Sequence, residues 1–184
     1  MKTRNLFQTI LTAAALTIPF HAMASVENPK PEAEIAKKVR HELVTLPFFG
    51  VFDNMTFDVK DGTVTLYGAV TRPTLKTSAE RVAQRVAGVT SVINKIEVLP
   101  LSSFDDSIRL RTLRAVYGQP ALNRYALGAI APIRIIVRNG EVTLEGVVLN
   151  DSDKTIAFLQ ANGVSGVFKV NNNLRVEIPS KPKA

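Results

Sequence analysis

Asp61-Gly62-Thr63-Val64-Thr65-Leu66-Tyr67-Gly68-Ala69-Val70 returns later in the chain as Asn139-Gly140-Glu141-Val142-Thr143-Leu144-Glu145-Gly146-Val147-Val148. The offset is 78 residues, and it holds without a gap through Gly88-Val89 against Gly166-Val167 and Val98 against Val176. An offset this constant means one structural unit used twice. Two small copies of one unit also argue against a single asymmetric catalytic cleft.

Within the unit, Val64, Leu66, Gly68 and Val70 alternate with Thr63, Thr65, Tyr67 and Ala69, the period of a half-buried strand. Asp61-Gly62 reads as a hairpin turn that joins this strand to an earlier one, Met55 to Lys60. Upstream, Ile35, Val39 and Leu43 make a helical stripe over Glu32 to Leu46, which Pro47 ends. Downstream, Leu75, Ala79, Val82 and Val86 predict a helix over Thr74 to Ala87, closed at Gly88. Thr90 to Leu99 follows as a third strand, with Val92, Ile96 and Val98 on one face.

The second copy keeps this order. Its first helix spans Asp105 to Tyr117. Strands follow at Arg134–Arg138 and Glu141–Leu149, then a helix from Asp151 to about Ala161 and a strand from Val167 to Ile178. Ile108 and Pro120 answer Ile35 and Pro47 at an offset of 73, so five residues are inserted between Pro120 and Arg134. The expected architecture is α+β. It has two tandem α-β-β-α-β units, each a three-stranded sheet with two helices packed on one face. Units this small are marginal alone, and the copies are expected to pack on each other through the opposite sheet face, by way of Tyr67, Ala69, Ile93 and Val147.

Four segments are expected: a signal peptide at 1–24, units at 25–101 and 102–178, and a disordered Lys/Pro tail at 179–184. Lys2 and Arg4 begin a basic n-region, Leu6 to Phe20 is apolar, and Ala22-Met23-Ala24 fits signal cleavage before Ser25. The chain has no cysteine, which excludes disulfides and a lipoprotein anchor. A Gram-negative periplasm is the expected compartment. Of 23 basic residues two leave with the signal, so 21 face 16 acidic residues at a net of +5. That mild excess does not suggest nucleic acid; it suits either plain solubility or contact with anionic headgroups.

These residues resemble the BON domain, named for bacterial osmotically inducible and nodulation proteins. The resemblance rests on Asp61 to Gly68 with Gly88-Val89-Thr90-Ser91-Val92-Ile93-Asn94, and on Asn139 to Gly146 with Gly166-Val167 to Asn172. It covers nearly the whole mature chain, twice. A tandem pair behind a cleavable signal is similar to the periplasmic, osmotically inducible members. The resemblance implies a non-enzymatic module that engages phospholipid or the cell envelope in osmotic or stress protection.

Catalytic chemistry finds little support. His21 leaves with the signal, and His41 alone remains, on a helix beside Glu42. No His/Cys/carboxylate cluster has metal-site spacing, and no cofactor is expected. Asn150-Asp151-Ser152-Asp153 is read as a helix cap, and Gly163-Val164-Ser165-Gly166 as a helix stop. Gly62, Gly68, Gly88, Gly140, Gly146 and Gly166 are read as structural. Gly68 and Gly146 lie on the apolar face in mid-strand, where a helix backbone is expected to pack on them. Asn94 and Asn172, on the buried parity, are expected to bond neighbouring backbone.

The contact candidates are apolar loops. One carries Phe48, Phe49 and Phe52; its counterpart carries Tyr125, Leu127 and Ile130. Two readings stand: side chains folded under a small core, or exposed groups marking a contact site. Arg109, Arg111 and Arg114 put a basic side on the adjacent helix, which suits a membrane interface. The expected partner is an anionic phospholipid or membrane surface. The alternative is a protein partner in an envelope or cell-wall complex.

Overall fold

A computed structural model describes residues 31–177, with the side chains of 32–177. The export segment and the tail lie outside the described residues. The first unit runs α1 (Pro31–Val44), β1 (Asn54–Lys60), β2 (Thr63–Val70), α2 (Pro73–Gln84), β3 (Ser91–Asn94) and β4 (Glu97–Val98). The second runs α3 (Ser103–Tyr117), a 3-10 turn at Asn123–Ala126, β5 (Ile133–Arg138), β6 (Glu141–Val148), α4 (Asp151–Asn162) and β7 (Lys169–Val176). In each unit the hairpin partner is antiparallel to the middle strand and the strand after the crossover helix is parallel to it. The α+β architecture read from the repeat is therefore the observed one.

The predicted third strand is interrupted in the first unit. β3 and β4 keep the same register on β2, with Lys95 and Ile96 between them. Asn94 stands at the break: its Oδ1 accepts Ile96 N–H at 3.1 Å, while its Nδ2 donates to the Lys76 carbonyl of α2 at 2.9 Å. Asn172 does the same in the second unit, accepting from Leu174 N–H and donating to the Lys154 carbonyl of α4. One amide thus ties strand to crossover helix in each copy, as expected of a polar group on a buried parity.

Each unit has its own core. Val39, Val64, Leu66, Val70, Leu75 and Ala79 centre the first; Ile108, Ile133, Ile135, Val142, Leu144 and Leu174 centre the second. The helices that follow Ser102 and Asn150 start on side-chain caps, Ser102 accepting from Asp105 N–H and Asn150 from Asp153 N–H.

Gly68 and Gly146 correct the expected neighbour. A Cβ on Gly68 would lie 2.1 Å from the carbonyl oxygen of Asn54, and on Gly146 1.9 Å from that of Pro132. The close backbone belongs to the hairpin partner strand, not to a helix. Both glycines hold positive φ, 111° and 122°.

The contact between copies also differs from expectation. Ile93 is exposed and Tyr67 lies beneath Lys95, while of the expected residues Val147 lines a groove between the units. The units meet instead through the loop after α1. Val51 carbonyl accepts Ile135 N–H at 2.9 Å, Arg134 donates to the Gly50 carbonyl at 2.7 Å, and Val51 and Phe52 pack on the second core. Glu97 and Arg138 add an ion pair across the seam. β5 is a sheet edge, and unpaired edges invite association. Here the edge is occupied: Tyr117 hydroxyl serves both N–H and carbonyl of Ile133, Val51 takes Ile135 N–H, and Arg109 donates to the Val137 carbonyl.

Thr112 stands in α3 where the repeat has Val39 in α1, and both are fully buried. The Thr112 hydroxyl has no hydrogen-bond partner. An unpaired buried hydroxyl costs about 1–3 kcal/mol. Thr112→Val restores the first unit's residue and is expected to stabilise the second unit by about 1 kcal/mol. Urea unfolding reads this as a raised midpoint; a lowered one would contradict it.

Candidate functional site

The apolar loops divide. Phe49 is half-buried beneath the Arg134 guanidinium, 4.4 Å above its ring. Phe52 belongs to the seam and packs on the second unit's core. Tyr125 is buried: its hydroxyl donates to the Asp153 carboxylate at 2.5 Å and accepts Leu149 N–H at 2.8 Å. Arg124, from the same inserted turn, pairs with Asp153. Tyr125 therefore does for Leu149 what Asp53 does in the first unit for Thr71, whose N–H it accepts at 2.7 Å. The inserted segment serves first as a latch on α4. Phe52 and Tyr125 are thus taken up inside the fold, while Phe49 keeps part of its ring open.

Arg109 is also corrected. It is 4 % exposed, paired with Asp106 and donating to the Val137 carbonyl at 2.7 Å. Its neighbour Ile108 points into the core, and one residue is only about 100° around the helix, so Arg109 faces β5 rather than solvent. Arg111 and Arg114 are exposed. Phe48 lies exposed with Arg72 at 4.8 Å from its ring. Leu127 is 87 % exposed and Ile130 roughly half so. Ile130 and Phe49, from the two loops, come together on the walls of one groove between the units.

The exposed aromatic patch lies elsewhere. Phe104, in the first turn of α3, and Phe168, just before β7, stack with ring centroids 6.1 Å apart and planes at 30°. They are 47 % and 76 % exposed, and nearby in sequence Leu101 is 97 % exposed. Phe168 lies over the hairpin glycine Gly140, and Phe104 beside Gly166. Arg111, two helical turns beyond Phe104, reaches the same Gly166. Lys169 is the exposed residue after Phe168. Of the acids close by, Asp105 is buried on the hairpin amides and Asp106 holds Arg109, while the exposed Glu141 lies opposite Lys169 in the β6–β7 register. The patch is thus two aromatic rings with the Arg111 guanidinium beside them and Lys169 next in the chain.

The strand expected from Val167 begins at Lys169, which leaves Phe168 just outside it, and no periodicity singles out Phe104. A signal was present: Phe168 stands where the first copy has Thr90 at the 78-residue offset. A large apolar side chain replacing a turn threonine has no core to enter.

Three groups depart from ordinary acidity, and Arg124 is one, raised by hydrogen bonding to Tyr125 first and to Asp153 next. Burial holds the Tyr117 hydroxyl up at about 12, against the lowering effect of its bond to Ile133. Burial also lowers Arg134. Among the described residues no cluster of three His, Asp or Glu is placed to hold a metal ion. No helix of the described residues is long and apolar enough to cross a membrane.

The family model for the BON domain matches residues 31–100 and 121–178. No curated protein matches the chain. Among solved structures, the C-terminal domain of CdsD, a structural protein of the type III secretion system of Chlamydia trachomatis, is similar at 14 % identity and a TM-score of 0.28, covering 79 % of this chain and 98 % of that one. A second CdsD structure matches at the same identity and score, covering 77 % and 91 %. A likeness of that size carries no functional weight.

Proposed function

The chain belongs to the BON domain family, with two BON units in tandem, and we propose that it is a non-enzymatic periplasmic protein that binds anionic phospholipid surfaces in envelope maintenance under osmotic or other stress. The observation that carries this is the exposed Phe104–Phe168 pair with Arg111 and Lys169 beside it. Exposed apolar groups rimmed by polar ones mark contact sites. Burying an aromatic ring among acyl chains is worth about 1.5–3 kcal/mol, and each nearby cation about 1 kcal/mol at an anionic leaflet. Two rings and two cations together suffice for reversible surface binding. The family's association with phospholipid supports the same reading.

Co-sedimentation of the mature protein with phosphatidylglycerol-containing vesicles at low salt tests it. The wild type is expected to pellet, and less so with purely zwitterionic vesicles or at high salt. Phe168→Asp combined with Arg111→Glu is expected to lower the partition coefficient at least tenfold. Both positions are exposed, so the fold should survive. A wild type that stays in the supernatant overturns the lipid reading and leaves the protein-assembly alternative, which a pulldown from envelope extract would then address.

A further inference from the structure

A groove of about 430 Å³ runs between the two units. Its walls come from α1 and β1 of the first unit and from the open face of the second sheet. Phe49, Met55 and Val147 supply apolar surface, and Arg40, Arg134 and Arg175 supply charge. Among the described residues lining it there is no carboxylate. None of the three arginines is in an ion pair. Arg134 is only 8 % exposed, yet its single hydrogen-bond partner is the Gly50 carbonyl.

The nearby acids are committed elsewhere. Asp53 sits behind Arg134 and spends its oxygens on Gly50 N–H and on the N–H and hydroxyl of Thr71. Glu145, opposite Arg134 in the register, is turned to the Asn173 amide. Asp53 offsets the Arg134 charge only through space, and a nearly buried guanidinium with no carboxylate bonded to it is costly unless an anion completes it. Guanidinium forks match phosphate and carboxylate oxygens, and a phosphate has oxygens enough to meet three of them at once. The apolar walls call for a hydrocarbon chain, and the volume falls in the range of roughly 300–1,000 Å³ usual for small-molecule sites.

We propose that this groove binds one single-chain, phosphate-headed lipid, the headgroup among Arg40, Arg134 and Arg175 and the chain along Phe49, Met55 and Val147. The site is distinct from the aromatic patch. Arg175 lies seven residues along the chain from Phe168, about 23 Å in an extended strand. The proposal also stands if the surface contact fails, because it uses none of the same residues.

Calorimetric titration of the full mature chain with lysophosphatidylglycerol, kept below its micelle concentration, tests it. One lipid is expected to bind per chain. Arg175→Glu, at an exposed position, is expected to weaken binding at least tenfold, and Val147→Trp to abolish it by filling the groove. Phe168→Asp is expected to leave it unchanged, which separates this site from the surface contact. A neutral monoacylglycerol of equal chain length is expected to bind at least tenfold more weakly. Absence of one-to-one binding, or binding indifferent to both groove variants in folded protein, overturns the proposal. So does tighter binding of the matching fatty acid, which would assign the head to a carboxylate. A concentration-dependent dimer lost in Arg175→Glu would instead assign the groove to a second copy.

Discussion

Gly146→Val is expected to unfold the second unit at urea concentrations where the first remains folded. The reason is geometric. At φ of 122° an L side chain is strained, and its Cβ alone would sit 1.9 Å from the Pro132 carbonyl oxygen. That carbonyl is not free to move, because it accepts Val147 N–H and starts strand β5. Backbone strain of this kind costs about 1–3 kcal/mol and overpacking a further 1–3. Together they approach the whole stability of a unit of this size, at roughly 0.05–0.15 kcal/mol per residue. Gly146→Ala should do nearly as much damage, since the Cβ itself makes the clash. Gly68→Val should do the same to the first unit, where the gap is 2.1 Å. Had a helix been the close neighbour, alanine would be tolerated much better than valine. Urea unfolding followed by probes in each unit decides this, and an unmoved midpoint for Gly146→Ala would refute the strand-backbone account.

The repeat made the architecture readable because period and turn chemistry are local properties. Alternation over Thr63–Val70, glycine turns at 62 and 140, and a constant 78-residue offset require no knowledge of distant contacts. The parity of Gly68 and Asn94 was equally legible: both lie toward the core side. What packs on them was not, because parity names a face and not the neighbour upon it. Arg109 shows the same limit. A run of arginines on a helix reads as a solvated side, but α3 must cover the β5 edge, and one guanidinium reaches the Val137 carbonyl to do so. The inter-unit seam was hidden for a different reason. Phe49 and Phe52 are three residues apart, yet one packs on the first core and the other on the second. Nothing local says whose core a loop phenylalanine will join. The aromatic patch was legible in principle as a departure from the repeat at Phe168, since a residue that breaks a duplicated pattern without a core to fill is free to serve another purpose.

Asp105→Ala is expected to cost the second unit about 2–6 kcal/mol, through two orphaned amides at about 1–3 each. The carboxylate is fully buried and accepts Asn139 N–H at 2.9 Å and Gly140 N–H at 2.8 Å. It joins the first turn of α3 to the β5–β6 hairpin, and no cation shares it among the described ion pairs. The first unit offers a built-in control. At the matching place Glu32, exposed, accepts only Asp61 N–H, at 3.1 Å. Water can replace that bond, so Glu32→Ala should change stability by less than about 0.5 kcal/mol. Hydrogen exchange sharpens the test: Asn139 and Gly140 amides should lose protection in Asp105→Ala well before the core strands do. Equal effects of the two substitutions would mean that burial is not what makes the bond matter. The consequence reaches the aromatic patch, because Phe104 precedes Asp105 and Phe168 lies over Gly140. Freeing the hairpin from the helix separates the two supports on which the rings stack. Asp105→Ala should therefore weaken vesicle binding even under conditions where the protein is still folded, although Asp105 itself is buried and cannot touch a lipid. Full binding by a folded Asp105→Ala protein would detach the patch from the membrane contact proposed for it.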